Sequence, residues 1–145
     1  HAYIRPGAGV RTRLLTLDEY IESARIDRVA FTKMDVEGYE LFALHGARRS
    51  IAAGKLPVVY FELKGPLVQR FGKTVQDVLA FFRASGYRMF HVRQQDFSAL
   101  KLAPDREIAG LAAREVGDYP DDLWTDLLAV HASAEHIGIR ARDGA

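Results

Sequence analysis

Cysteine is absent from this sequence. Its absence excludes a disulfide scaffold, a thiolate zinc ribbon and thiol catalysis, and a reducing cytoplasm is the expected location. Long apolar runs are missing too. None approaches the roughly 18–20 residues that cross a bilayer, and no secretory leader is visible. Nor is there an excess of one charge: 20 basic and 19 acidic residues leave a formal net charge of +1. Phosphate backbones are gripped by clustered Lys and Arg, so no nucleic-acid partner is expected. The one local Arg cluster, "RPGAGVRTR", reads as a loop. There is no internal repeat and no low-complexity tract. The chain opens on His1 rather than Met, so it is expected to be a piece of a longer protein.

What is present suits one globular domain. The 145 residues are 48% hydrophobic and 27% charged, enough to bury a real core. Thr16 with Glu19 forms a capping box, and Leu17, Tyr20, Ile21 and Ala24 repeat at helical spacing, which predicts a helix from about Leu17 to Arg25. "RVAFTKMDV" (28–36) is a short β-branched and aromatic run, as expected of a strand covered on both faces. From Gly38 the period changes to helical, with Leu41, Leu44, Arg48 and Ile51 on one face and Gly54 as the stop. "VVYFELKG" after Pro57 reads as a second continuous apolar strand. Thr74 and Asp77 make a second capping box, followed by Val75, Val78, Leu79 and Phe82 on one helical face and Gly86 at its end. "YRMFHV" (87–92) is a third strand. Such alternation of helices and strands predicts parallel strands joined by crossovers. The rhythm then breaks into a long connection with a helical turn near Ile108 to Ala113. "WTDLLAVHA" (124–132) follows as a last strand, expected to pair antiparallel at the sheet edge. Phe31, Phe61, Phe81 and Phe82 are expected in the core.

Ligands of parallel α/β sheets bind at the carboxyl ends of the strands. Asp35 and Glu37 follow the first strand and Glu62 closes the second, so neighbouring strands would bring three carboxylates to one rim. Lys33 would reach the same side by strand alternation. Such a cluster can bind a divalent cation, take a proton from a hydroxyl, or hydrogen-bond sugar hydroxyls. Asp35 or Glu37 can equally be only a cap of the following helix, stabilised by the helix dipole by about 0.3–1 kcal/mol. Glu62 is harder to explain so, because a partly buried acid is costly without a partner. His91 and His131 on strands match no zinc spacing and read as packed or hydrogen-bonded residues, and His45, on a helix face beside Gly46, reads as surface or interface. Ser50 and Ser98 lack the glycine-flanked elbow of a hydrolase nucleophile. "RPGAGVR" has no strand before it and no helix directly after it, which argues against a phosphate cradle.

"TLDEYI", "FTKMDVEGYELFALHGA", "VVYFEL" and "GYRMFHV", in this order and spacing, resemble the FkbM family of S-adenosylmethionine-dependent methyltransferases. Lys33, Asp35, Val36, Glu37, Gly38, Glu40, Leu44, Gly46 and Ala47 match its core phrase, with Met34 where Ile is usual. The resemblance covers roughly residues 14 to 92. It implies an α/β, Rossmann-like class I methyltransferase fold, a mostly parallel sheet with an antiparallel edge strand. It also implies S-adenosylmethionine as cofactor and a hydroxyl of a sugar, glycolipid or natural product as acceptor, hence a small-molecule or glycan partner. Asp35 would stand beside the methyl group and contact the cofactor. Asp35 or Glu37 would act as catalytic base, and Lys33 and Glu62 would contact the acceptor. A full member begins with a strand and glycine-rich turn for the cofactor, then a strand ending in a ribose-binding acid. Neither motif is present, so the expected content is the C-terminal half of one domain, inactive by itself. Within it, 1–13 is expected as a leader loop, 14–92 as the core, 93–136 as the connection and last strand, and 137–145 as a flexible tail. Two other readings stay open: a metal-dependent or sugar-binding α/β module using Asp35, Glu37 and Glu62, and an inactive piece serving as an interaction domain.

Overall fold

The computed structural model describes residues 13–91, 114–115, 120–122 and 124–134. Ser98, the turn expected near Ile108 to Ala113 and the expected tail lie outside the described residues, as does all of the expected leader except Arg13. In chain order the elements are α1 (Leu17–Ser23), β1 (Thr32–Met34), α2 (Glu40–His45), α3 (Arg48–Ala52), β2 (Val58–Lys64), α4 (Gly65–Gln69), α5 (Val75–Ala84), β3 (Tyr87–His91), β4 (Arg114–Glu115) and β5 (Trp124–His131), closed by a 3₁₀ turn at Ala132–Ala134.

Both capping boxes form. Glu19 N–H donates to Thr16 Oγ1 at 3.1 Å while Thr16 N–H donates to Glu19 Oε2 at 2.8 Å. The pair Thr74 and Asp77 repeats this at the start of α5, with 2.8 and 3.1 Å. Each reciprocal pair satisfies two backbone donors that a helix start leaves orphaned.

The single helix expected after Gly38 is two. α2 stops at Gly46 and α3 starts at Arg48, because a remote acid takes over the second start. Asp18, on α1, is buried and accepts from Arg49 N–H at 2.9 Å and Ser50 N–H at 2.8 Å, while its own N–H donates to Gly46 O. Burial alone would raise the Asp18 carboxyl, but the hydrogen bonds from Ser50 and Arg49 outweigh it and hold the group below its ordinary value. Asp18→Ala leaves a buried N–H group (Ser50) and a part-buried one (Arg49) unpaired, so a loss of about 2–4 kcal/mol is expected. Urea melts read this as a lower midpoint at unchanged slope; an unchanged midpoint would mean that water replaces the carboxylate.

The sheet runs in the order β1-β2-β5-β3-β4. Only β1 and β2 pair parallel; β2 with β5, β5 with β3 and β3 with β4 all pair antiparallel. This corrects two expectations. The strand 124–131 lies inside the sheet, between β2 and β3, and the antiparallel edge belongs to the two-residue β4. The sheet is therefore not mostly parallel by pairing, although β1, β2 and β3 share one direction. The placement follows from packing, since Leu127 and Ala129 are fully buried beside Phe61 and Met89. At an edge they would lose half of that cover.

All five helices contribute to a core laid on one face of the sheet, where Val59, Phe61, Leu63, Leu127 and Met89 meet Ile21, Leu44, Ile51, Leu79 and Phe82. Phe61 stacks on Phe82 with centroids 4.7 Å apart. Phe81 packs partly against this core, but Phe31 is 44% exposed, contrary to expectation, because β1 starts only at Thr32. Arg48 is exposed as well, and Ala47 takes its place on the buried face. Among the described residues no helix is long and apolar enough to cross a membrane.

Candidate functional site

Beyond Met34 the chain leaves the sheet and reverses. Tyr39 N–H donates to Val36 O at 3.2 Å, and both Glu37 (φ 53°) and Gly38 (φ 101°) adopt positive φ. A non-glycine residue in that region costs of order 1–3 kcal/mol and persists only where its surroundings hold it. Glu37 is held by its side chain, whose two oxygens lie 3.4 and 3.3 Å from Lys64 Nζ. Gly38 has no alternative, because a Cβ there would stand 2.5 Å from the Leu67 carbonyl oxygen within α4.

The capping reading of Asp35 and Glu37 fails at this point. The residue preceding α2 is Tyr39, and no side chain caps it. Asp35 instead pairs with Lys33, Nζ to Oδ2 3.1 Å, as strand alternation predicted for these two. The acid that steadies the bend is Glu40. Only 2% exposed, it accepts from Gly38 N–H at 3.2 Å through Oε1, while its Oε2 has no hydrogen-bond partner. Burial pushes the Glu40 carboxyl up, and the nearby negative charge of Asp35 adds to the effect. A folded value raised above the unfolded one gives stability that is complete below about 4.5 and is lost as pH rises through the folded value. Glu40→Gln, which resembles the protonated acid, should melt with the parent near pH 4 and above it at pH 8. Parallel melting curves across that range would show that the buried carboxyl carries no such load.

Along β2 the residues Tyr60, Glu62 and Lys64 alternate onto the face opposite the helices. Glu62 binds Lys64 Nζ at 2.9 Å through Oε2 and accepts from Trp124 Nε1 at 2.8 Å through Oε1. The Lys64 ammonium also lies 5.0 Å from the centre of the Trp124 ring. Glu62 therefore has the partners its half-buried position requires. Hydrogen bonding to Glu62, with a smaller share from Glu37, lifts the Lys64 ammonium above its ordinary value against the opposing effect of burial. One rung further into the sheet, burial and the charge of Asp126, to which it is hydrogen-bonded, push the Tyr60 phenol up to about 12. Asp126 is itself pushed up, first by burial.

The structure thus joins Glu37 and Glu62 through a single lysine and leaves Asp35 with Lys33 at the exposed edge. Lys64, Tyr60, Trp124 and Asp126 escaped the sequence reading, and Glu40 entered it only as a position of the family's core phrase. For Tyr60 and Lys64 a signal exists, the period of two in "YFELK" with Glu62 between them; for Trp124 and Asp126 only the antiparallel register Lys64↔Trp124 and Glu62↔Asp126 brings them in. The three described histidines behave as expected. His91 bonds Thr125, His131 bonds Ser133, and His45 lies edge-on to Phe81.

A cleft of about 960 Å³ opens between the start of α1, β1 and α2. Leu14, Tyr20, Val36 and Phe42 give it apolar walls, and Asp35 and Glu37 stand in its lining. Its size is that of a small-molecule site with a few placed polar groups. Glu37 faces both ways: it lines the cleft and touches Lys64, which among the described residues does not line it.

A family model described as "Methyltransferase FkbM domain" matches residues 1–89. That span includes Lys33, Asp35, Glu37, Glu62 and Lys64 and stops before β5. No curated protein and no solved structure matches this chain.

Proposed function

The chain belongs to the FkbM methyltransferase family, and on that footing we propose that it is the acceptor side of an S-adenosylmethionine-dependent O-methyltransferase acting on a hydroxyl of a sugar, glycolipid or natural product. The observation that carries this reading is the pair Asp35 and Glu37, set by the bend after β1 into the wall of an apolar cleft. The donor set suits the cofactor. A sulfonium cation is favoured beside carboxylates, and apolar walls favour an adenosine. The glycine-rich turn and ribose-binding acid of the family are not in this sequence, so we place those cofactor contacts in another part of the protein.

When bound, S-adenosylmethionine supplies a methyl group open to direct displacement by an oxygen. The residues of this chain align that oxygen and receive its proton. Asp35 is the better base by geometry. Among the described residues its one ion pair is with the exposed Lys33, through Oδ2, which leaves Oδ1 for the acceptor hydroxyl, whereas both oxygens of Glu37 face Lys64. Glu37 shapes the acceptor wall, and Glu62 acts through the same lysine. Among the described residues no group of three or more His, Asp or Glu could hold a metal, so no observation favours the metal-dependent reading.

Calorimetric titration of the full-length gene product should show saturable binding of S-adenosylmethionine with no metal added. Heat from Mg²⁺ or Mn²⁺ alone, with none from S-adenosylmethionine, would overturn the proposal.

A further inference from the structure

Trp124 is the only tryptophan of the chain, and it is 71% exposed on a strand whose other members are half-buried or buried. Yet the side chain is not loose. Its indole N–H is bound by Glu62 Oε1 at 2.8 Å, and Lys64 Nζ stands 5.0 Å from the ring centre. Glu62 and Glu37 share that same ammonium, so the ring, the lysine and both carboxylates form one connected group. An exposed aromatic held by two partners is a preorganised surface, because the rotamer freedom that binding would remove is already restricted.

Resting on the methyltransferase reading, we propose that Trp124 is a stacking platform for a pyranose ring of the acceptor, with Glu62, Lys64 and Glu37 hydrogen-bonding its hydroxyls. The chemistry selects this class. The C–H face of a pyranose covers an indole, and its hydroxyls can donate to carboxylates and accept from an ammonium. Two carboxylates against one ammonium leave the group net negative, which disfavours phosphates and carboxylic acids. The placement also fits. Trp124 pairs with Lys64 on the strand beside β2, while Asp35 follows β1 on the other side. Two strand spacings and one pleat repeat put the two backbones on the order of 12 Å apart, the reach of a ring and its neighbouring hydroxyls.

A single tryptophan makes the test direct and independent of methyl transfer. Emission of the full-length protein, with Trp124 the chain's only such reporter, is titrated with methyl α-D-glucopyranoside, methyl α-D-mannopyranoside and methyl α-L-rhamnopyranoside; should the remainder of the protein carry tryptophan, those residues are first replaced by Phe. At least one glycoside should give a saturable shift that glycerol at matched hydroxyl concentration does not. Lys64→Met and Glu62→Gln should each weaken it about 10-fold or more, as expected for loss of a hydrogen bond to a charged group. No saturable shift up to about 100 mM, far above the millimolar constants of weak sites, would overturn the inference. So would an equal response to glycerol, or unchanged affinity in both variants. The two proposals fail separately. Cofactor binding without glycoside binding sinks only the platform, whereas glycoside binding without cofactor binding leaves a sugar-binding module.

Discussion

Gly38→Ala should be among the most damaging small substitutions at the described residues, with a loss of about 3 kcal/mol or more. Two costs add at one position. The φ of 101° is a conformation that L side chains rarely adopt, and the new methyl would stand 2.5 Å from the Leu67 carbonyl oxygen and 2.7 Å from its carbon. Backbone atoms cannot rotate away as a side chain can, so α4 must shift or the bend must open. Either movement strains the chain next to Glu37, whose own positive φ is held by Lys64, and removes the Gly38 N–H from Glu40. Cofactor binding should therefore fall together with the urea midpoint. A variant with parental midpoint and parental affinity would show that α4 yields at little cost.

The second large effect falls on turnover rather than stability. Asp35→Asn is expected to lower kcat by about 10²–10⁴-fold, the usual share of a positioned acid or base. Its effect on folding should be small, since an exposed ion pair such as Lys33–Asp35 is worth about 0–1 kcal/mol. Methyl transfer to the enzyme's acceptor and a thermal melt, made on the same preparation, separate the two. A melt lowered by several degrees at unchanged specific activity would return Asp35 to a structural role. Loss of both would mean that the bend, not the base, had been disturbed.

Local chemistry determined much of this protein from the sequence alone. Both capping boxes, the continuous strand at Val58–Lys64 and the helix Val75–Ala84 depend on residues within a few positions of one another, so their patterns were legible. The motif around Asp35 was legible in the same way, as was the alternation that pairs Lys33 with Asp35. Much else depends on groups far apart in the chain. The break between α2 and α3 is invisible locally, because the acid that caps α3 is Asp18, about thirty residues earlier. Glu37 looks like a helix cap until the fold supplies Lys64 as its partner, and Glu40 looks like surface until packing buries it. Trp124 reaches the site only because β5 inserts beside β2 in antiparallel register, a choice made by buried Leu127 and Ala129 rather than by any turn signal. Sequence alone thus determined which residues could act as acids. Tertiary structure decided which charges meet, because burial and register act between segments that the sequence keeps dozens of positions apart.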